Sequence, residues 1–345
     1  MQFLLDPAIL FFVLGVVAGT LKSNLEIPAQ VGKFLSLYLL MALGLKGGFA
    51  LAESGLTLDV LSSLLAAVVM AFVVPLIAYA VLKNRVARLD AAAVAAAYGS
   101  VSAVTFVTAL QILSDQGLDP GGHMAVAMVL MESPALIVAV VLASMIRQAK
   151  AQGSLLALGG TLAVAGGSGG SMGLAGGSGG KGLSVGHIVH ESLTNGAHVL
   201  LMGSVLIGYF TGEAGQGMMQ PLTGDLFKGL LAFFLLDMGL NVARNAGPAL
   251  RAPLILLVYA LVAPLVHATL ALGLGSVLNV PVADTILLMV LSASASYIVV
   301  PAALKFAIPE ANPSLYLGLA LGVTFPFNMI VGIPLYTWMA GVVLG

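Results

Sequence analysis

Ten apolar stretches, each close to the ~20 residues that a helix needs to cross the hydrocarbon layer of a bilayer, constrain this chain more than any other feature. Five lie at 3–21, 32–52, 57–82, 90–113 and 123–147, and five more at 189–211, 222–244, 250–276, 282–305 and 315–343. Composition agrees, since 60% of the 345 residues are apolar, only 8% are charged and the mean hydropathy is +1.09. A soluble chain covers its surface with roughly a quarter charged residues, whereas a bilayer solvates apolar side chains directly. The fold class expected is an all-α integral membrane protein. With 13 Lys and Arg against 14 Asp and Glu, there is no basic field to attract nucleic acid. Cysteine is absent, which excludes disulfides, thiol nucleophiles and Cys-type zinc sites. The first residues lack a basic region and a small-residue cleavage site, so the first stretch is expected to be a retained span.

One segment differs from all the others. Between 153 and 182 the chain carries 13 glycines, no proline and two copies of Gly-Gly-Ser-Gly-Gly. This composition makes a flexible linker, natural or engineered. It divides the chain into a first five-span half at 1–150, a linker at 151–186 and a second half at 187–345. Ser168 and Ser178 match the Gly-x-Ser-x-Gly pattern of serine hydrolases, but that pattern requires a strand-to-helix turn, and glycine-rich linkers match it by chance.

Charge placement orients the spans. Lys22 and Lys33, then Lys83, Arg85 and Arg88, then Arg147, Lys150 and Lys181, then Arg244 and Arg251, then Lys305 fall in alternate connections. The intervening connections hold Glu53 with Asp59, Asp115 with Asp119, and Glu213 with Asp225. The positive-inside rule puts the linker in the cytoplasm and both termini outside. An odd number of spans per half then makes the halves inverted relative to each other. The halves also align by residue: Asp90 and Asp284 each precede a serine by ten positions, Ser100 and Ser294, and each serine is followed two residues later by Ser102 or Ser296. Pro75 matches Pro264 and Pro134 matches Pro326 in the same order. Inverted repeats of this kind are a signature of secondary transporters.

Spans four and nine are expected to be discontinuous. Their centres, Tyr-Gly-Ser-Val-Ser-Ala-Val-Thr-Phe from Tyr98 and Leu-Ser-Ala-Ser-Ala-Ser-Tyr from Leu291, are poor in strong helix formers. Broken backbone at membrane depth is tolerated only where protein or a water-filled cavity satisfies it. Two such breaks at the midplane would bring two half-helix N-termini to one site, whose free N–H groups suit an anion. The candidate anion site is Gly99, Ser100, Val101 and Ser102 with Ser294, Ala295 and Ser296. Its small side chains suit a small oxyanion, although small residues also serve close helix packing.

Charged groups within spans cost about 2.5–3.5 kcal/mol each on insertion scales, so Glu132, Asp237 and Lys46 stand out. Glu132 aligns with Thr324, and the oxygens of Glu132, Thr324 and Asn328 together with freed carbonyls suit a hard monovalent cation such as sodium. Lys46 and Asp237 read best as an ion pair between spans two and seven. His187 and His190 do not form a zinc-hydrolase signature, and His267 reads as a polar packing residue.

Four motifs resemble a known family: Met-Glu-Ser-Pro-Ala-Leu at 131–136, His-Glu-Ser-Leu-Thr-Asn-Gly at 190–196, Ile-Pro-Glu-Ala-Asn-Pro-Ser-Leu-Tyr from Ile308 and Gly-Val-Thr-Phe-Pro-Phe-Asn from Gly322. They are similar to the cyanobacterial sodium-dependent bicarbonate transporters and their bacterial relatives, across both halves. The resemblance implies a sodium-coupled bicarbonate symporter of the bacterial cytoplasmic membrane rather than an enzyme. Sodium would be the coupling ion, and no cofactor would be needed. It implies an elevator-like core moving against a gate, a homotrimer, and a PII-like regulator on the cytoplasmic side. The glycine-rich central loop departs from the family pattern and puts that last contact in doubt. Rival readings are a sodium-coupled symporter of another small or organic anion, a sodium/proton antiporter, and an intramembrane serine hydrolase. The hydrolase lacks a Ser and His that obviously pair, and the antiporter would want a second carboxylate near the breaks.

Overall fold

Residues 5–55, 57–162 and 196–345 are described by the structure, a computed structural model. Most of the expected linker at 151–186, with His187, His190 and the start of the sixth span, lies outside those residues. The part of it up to Leu162 continues the helix that begins at Met124.

Among the described residues there is no strand. The helices, in chain order, are α1 (Pro7–Thr20), α2 (Ala29–Ser54), α3 (Leu58–Leu82), α4 (Arg88–Gly99), α5 (Ala103–Asp115) and α6 (Met124–Leu162). They continue as α7 (Gly196–Thr223), α8 (Asp225–Leu250), α9 (Leu254–Val277), α10 (Val282–Ala293) and α11 (Val299–Ala307). The last helical run, α12 (Pro313–Leu344), contains two π-helical turns at Ala320–Thr324 and Asn328–Gly332. Eight runs are long and apolar enough to cross a membrane, with α4 and α5 counted as one. Of the other two expected spans, α1 has 14 residues and the first part of the ninth, α10, has 12. At 1.5 Å per residue α1 covers ~21 Å.

Local chemistry sets the helix starts. The Asp6 carboxylate accepts from the Ala8 N–H at 2.8 Å with Pro7 at the first helical position, and Asn312 accepts from Ser314 at 3.0 Å ahead of Pro313. Thr57 caps α3 through Val60 N–H at 3.4 Å. Each supplies an acceptor to N–H groups that have none within the helix. α7 bends at Gly212, whose φ of 53° is readily adopted by glycine. Many large apolar side chains face outward, Phe210 at 80% exposure and Trp338 at 64% among them, as lipid-facing surfaces require.

α1 packs along α8, and α2 along α7. Both contacts are built on small residues four apart. A Cβ on Gly15 would lie 2.2 Å from the Leu236 carbonyl oxygen, and one on Gly19 would lie 2.5 Å from the Ala243 Cβ. At the other pair, a Cβ on Gly48 would lie 2.2 Å from the Val205 carbonyl oxygen and one on Gly44 would lie 2.6 Å from the Ser204 Cβ. Backbones this close permit only glycine on the near side, the small-xxx-small geometry of membrane helix pairs. Among the remaining helices α3 packs on α4 and α6 and α9 on α10, while α12 packs on α8, α9 and α10. Within that group Pro75 lies in α3 and Pro264 in α9.

Candidate functional site

Helix α4 ends at Gly99, and the next helix begins at Ala103. Ser100 and Ser102 between them are extended, with φ/ψ of −100°/179° and −107°/110°. The second serine-rich segment behaves alike: α10 ends at Ala293, Ser294 is extended at −82°/169°, and α11 begins at Val299. Gly99 is explained by packing, because a Cβ there would meet the Pro75 ring at 2.6 Å.

The two non-helical segments bond to each other. Ser102 N–H donates to Ser294 Oγ at 2.9 Å, and Ser296 N–H donates to the Ala97 carbonyl at 2.8 Å. Ser294 Oγ–H in turn donates to the Leu291 carbonyl at 2.8 Å. Ser102 Oγ accepts from Thr105 N–H at 3.3 Å and caps α5, and Ser296 Oγ, two residues ahead of the N-cap Ile298, accepts from Val300 N–H at 3.3 Å in the first turn of α11. The Ser100 hydroxyl is buried without a hydrogen-bond partner.

A cavity of about 70 Å³ opens beside this crossing. Val101, Ser102, Ala103 and Val104 line it from the first segment, and Ser296, Tyr297, Ile298 and Val299 from the second. The first turns of α5 and α11 thus both face it, and these turns carry N–H groups that no intrahelical carbonyl can take. One water needs about 10–15 Å³ by this measure, so the space suits a small ion with a little water. Gly99, Ser100, Ser294 and Ala295 are not among its lining residues; they form the layer behind.

Glu132, on α6, also lines the cavity, and its carboxylate bonds to Nε2 of His198 on α7. Both residues are buried. His198 is not among the residues that the sequence pattern singles out. The available signal was an ionisable side chain in the apolar run after Gly196. Ser36 and Leu40 of α2 and Met128 of α6 complete the wall on that side.

The other two sodium candidates do not line this cavity. Thr324 donates to the Ala260 carbonyl at 2.9 Å and shares a hydrogen bond of 2.6 Å with the Tyr98 hydroxyl. Ala260 is four residues before Pro264, which has no N–H, so Thr324 satisfies the carbonyl that the proline leaves free. Asn328 Nδ2 donates to the Ala293 carbonyl at 2.8 Å, the last residue of α10, and Asn328 Oδ1 accepts from the Tyr336 hydroxyl at 2.8 Å. Both belong to the π-helical turns around Pro326, a feature often found at functional positions.

The expected Lys46–Asp237 pair does not form. Asp237 lies against Gly32, whose added Cβ would be 2.8 Å from Asp237 Oδ2. Lys46 is fourteen residues further along α2, ~21 Å away, with its ammonium 4.3 Å from the centroid of the Phe227 ring. Depth along the helix, which span-level reading averages out, separates the two charges. His267 is buried, with Nδ1 unpartnered, between α3 and α9.

Among curated proteins none matches the chain. A sequence profile of the Na+-dependent bicarbonate transporter superfamily matches residues 7–341, nearly the whole length, and the chain belongs to that superfamily.

Proposed function

We propose that this protein is a sodium-coupled symporter that imports bicarbonate across the bacterial cytoplasmic membrane. The observation that carries the reading is the cavity of about 70 Å³ faced by the first turns of both α5 and α11. Two sets of free N–H groups and two positive helix ends bind an anion without a buried Arg or Lys. Ser102 and Ser296 at its wall add hydroxyls, and Ser100 Oγ, buried and unpartnered, offers a further donor from the layer behind. Sodium takes oxygen ligands. Glu132 supplies charge at the cavity, while Thr324 and Asn328 sit at π-helical turns beside the freed carbonyls Ala260 O and Ala293 O. Cation and anion held close together in low dielectric stabilise each other's binding, which gives coupling its physical basis.

The architecture proposed is ten spans as two inverted five-helix repeats, with spans four (α4–α5) and nine (α10–α11) discontinuous. Exchanging the halves turns the α1–α8 contact into the α7–α2 contact, and the small residues correspond: Gly15 and Gly19 with Ser204 and Gly208, Gly44 and Gly48 with Gly239 and Ala243. Asp90 Oδ1 accepts from Asn312 N–H at 2.8 Å, and its counterpart Asp284 accepts from Gly121 N–H at 2.6 Å. Both termini are placed outside and the linker inside. The four helices α1, α2, α7 and α8 serve as the gate, past which the remaining helices move as an elevator. A homotrimer joined through the gate completes the picture. A PII-like regulator would meet the cytoplasmic face.

The second reading, a sodium/proton antiporter, gains from the Glu132–His198 pair, a buried acid and base beside the cavity. Uptake of labelled bicarbonate into vesicles holding the purified protein separates the two. A symporter takes up bicarbonate only with sodium present, and an antiporter instead shifts the internal pH when sodium is added without bicarbonate.

A further inference from the structure

A second cavity, of about 360 Å³, lies between α2, α5 and the start of α6, with Gln216 of α7 and Phe227 of α8 also in its wall. Leu43 of α2 and Phe106 of α5 line it, one turn or less beyond Leu40 and Val104, which line the cavity at the crossing. The two cavities therefore follow each other along α2 and α5, and the larger lies toward the end of the molecule that carries Glu53 and Asp119.

Lys46 is the cation in the wall of this second cavity. Its ammonium is 4.3 Å from the Phe227 ring centroid, a cation–π contact that holds one side of the head group and leaves the rest of its donors to the cavity. Asp115, four residues beyond the lining residue Gln111, is bound by Lys228 at 2.6 Å, and Gln111 donates to the same oxygen at 3.0 Å. Among the described residues Lys46 itself makes no ion pair within 4.0 Å. The other carboxylates in the wall, Glu53 and Asp119, are exposed. Glu53 is seven residues along α2, ~10 Å from Lys46. Position is fixed by Gly47, where an added Cβ would be 2.8 Å from the Gly122 carbonyl oxygen, so α2 abuts the chain just ahead of α6.

We infer that Lys46 forms a second anion site, an antechamber that takes a small oxyanion, bicarbonate in the first instance, before it reaches the crossing. A charged lysine within a span is stable only where water or a counter-ion reaches it, and here the neighbouring carboxylate is already paired. The inference rests on the bicarbonate-transport reading for its physiological ligand, but not for its geometry.

Two measurements on Lys46→Met and Lys46→Arg test it, with Lys46→Gln made alongside so that misassembly of the Met variant does not decide the matter. In sodium-driven vesicle uptake, Lys46→Met and Lys46→Gln should raise the half-saturating bicarbonate concentration about fivefold, the upper range for a solvated ion pair, with the maximal rate retained. Lys46→Arg should restore the wild-type value. Separately, bicarbonate added without sodium to the detergent-solubilised protein should raise its melting temperature, against chloride at equal ionic strength. Part of that shift should vanish in Lys46→Met and Lys46→Gln and persist in Ser102→Ala. Unchanged half-saturation and an unchanged melting shift in the Lys46 variants overturn the inference. If the wild type takes up no bicarbonate, the transport reading fails by itself and the melting shift alone decides. A sodium-free shift lost with Lys46 upholds the second site, and no shift, or one equal in all variants, removes it.

Discussion

The Glu132 carboxylate on α6 is bonded to Nε2 of His198 on α7, across the wall of the cavity at which the two non-helical segments meet. The acid therefore has a partner on a helix from the proposed gate. Sodium at Glu132 must share or replace that contact, and in doing so it loosens a link between the proposed gate and the proposed moving core. Glu132→Gln keeps the volume and one oxygen but removes the charge, so it should raise the sodium concentration for half-maximal uptake well beyond any effect on assembly. Unchanged sodium dependence in a well-folded variant would assign Glu132 a structural role with His198.

Ser102→Ala and Ser296→Ala should each weaken bicarbonate uptake through the loss of a hydrogen bond to a charged ligand, about 1.5–3 kcal/mol. Each also removes an acceptor from a first-turn N–H, that of Thr105 for Ser102 and that of Val300 for Ser296. Stability should fall by about 0.5–2 kcal/mol, measured as a melting shift that is separable from the change in half-saturating bicarbonate. A melting shift with unchanged half-saturation makes these serines first-turn acceptors alone.

Thr324→Val removes the donor that satisfies the Ala260 carbonyl beside Pro264. In a membrane interior such a bond is worth about 0.6–1.7 kcal/mol, and Thr324→Ser should restore it. If Thr324 is also a sodium ligand, the valine variant shows raised half-saturating sodium as well as a lower melting temperature. A melting change alone would confine Thr324 to the proline kink.

Arg147 on α6 holds Glu310, in the connection between α11 and α12, through bonds of 3.0 and 2.7 Å, and donates to the Ala307 carbonyl at 3.1 Å. The Arg147 hydrogen bonds hold the Glu310 carboxyl below its ordinary 4.5. A depressed acid contributes stability that is full above the ordinary value and is lost as pH falls through the lower, folded-state value. With side chains 43% and 47% exposed, the pair is screened and contributes about 0.2–1 kcal/mol. The melting difference between wild type and Glu310→Gln should accordingly be small at neutral pH and vanish in strong acid. A difference that grows on acidification would contradict the pairing.

The all-helical class and the eight membrane-length helices found among the described residues are legible in the sequence because apolar length reports directly on membrane solvation. The segments around Ser100–Ser102 and after Ala293 have few helix formers, and α4 and α10 end there at Gly99 and Ala293. Side-chain partnerships were less legible. Lys46 and Asp237 both sit inside apolar runs, yet their depths along α2 and α8 keep them apart. Thr324 and Asn328 are expected as oxygen ligands from residue type, and their bonds to the carbonyls of Ala260 and Ala293 are not visible in the sequence. Contacts of that kind depend on rotation about each helix axis, which a hydrophobic run with no polar face does not encode.

Orientation is open to direct test because the chain has no cysteine of its own. A single cysteine in place of Gly170 should resist an impermeant maleimide applied to intact cells and react after the cells are opened. Labelling from outside would reverse the assignment of both termini.

Sodium is proposed to drive bicarbonate through the cavity beside the crossing of the two serine-rich segments. Purified protein in vesicles with an inward sodium gradient should accumulate labelled bicarbonate above its external concentration, admit labelled sodium only when bicarbonate is present, and lose both fluxes when a sodium ionophore collapses the gradient. Bicarbonate uptake that proceeds equally without sodium, or sodium flux that ignores bicarbonate, would contradict it.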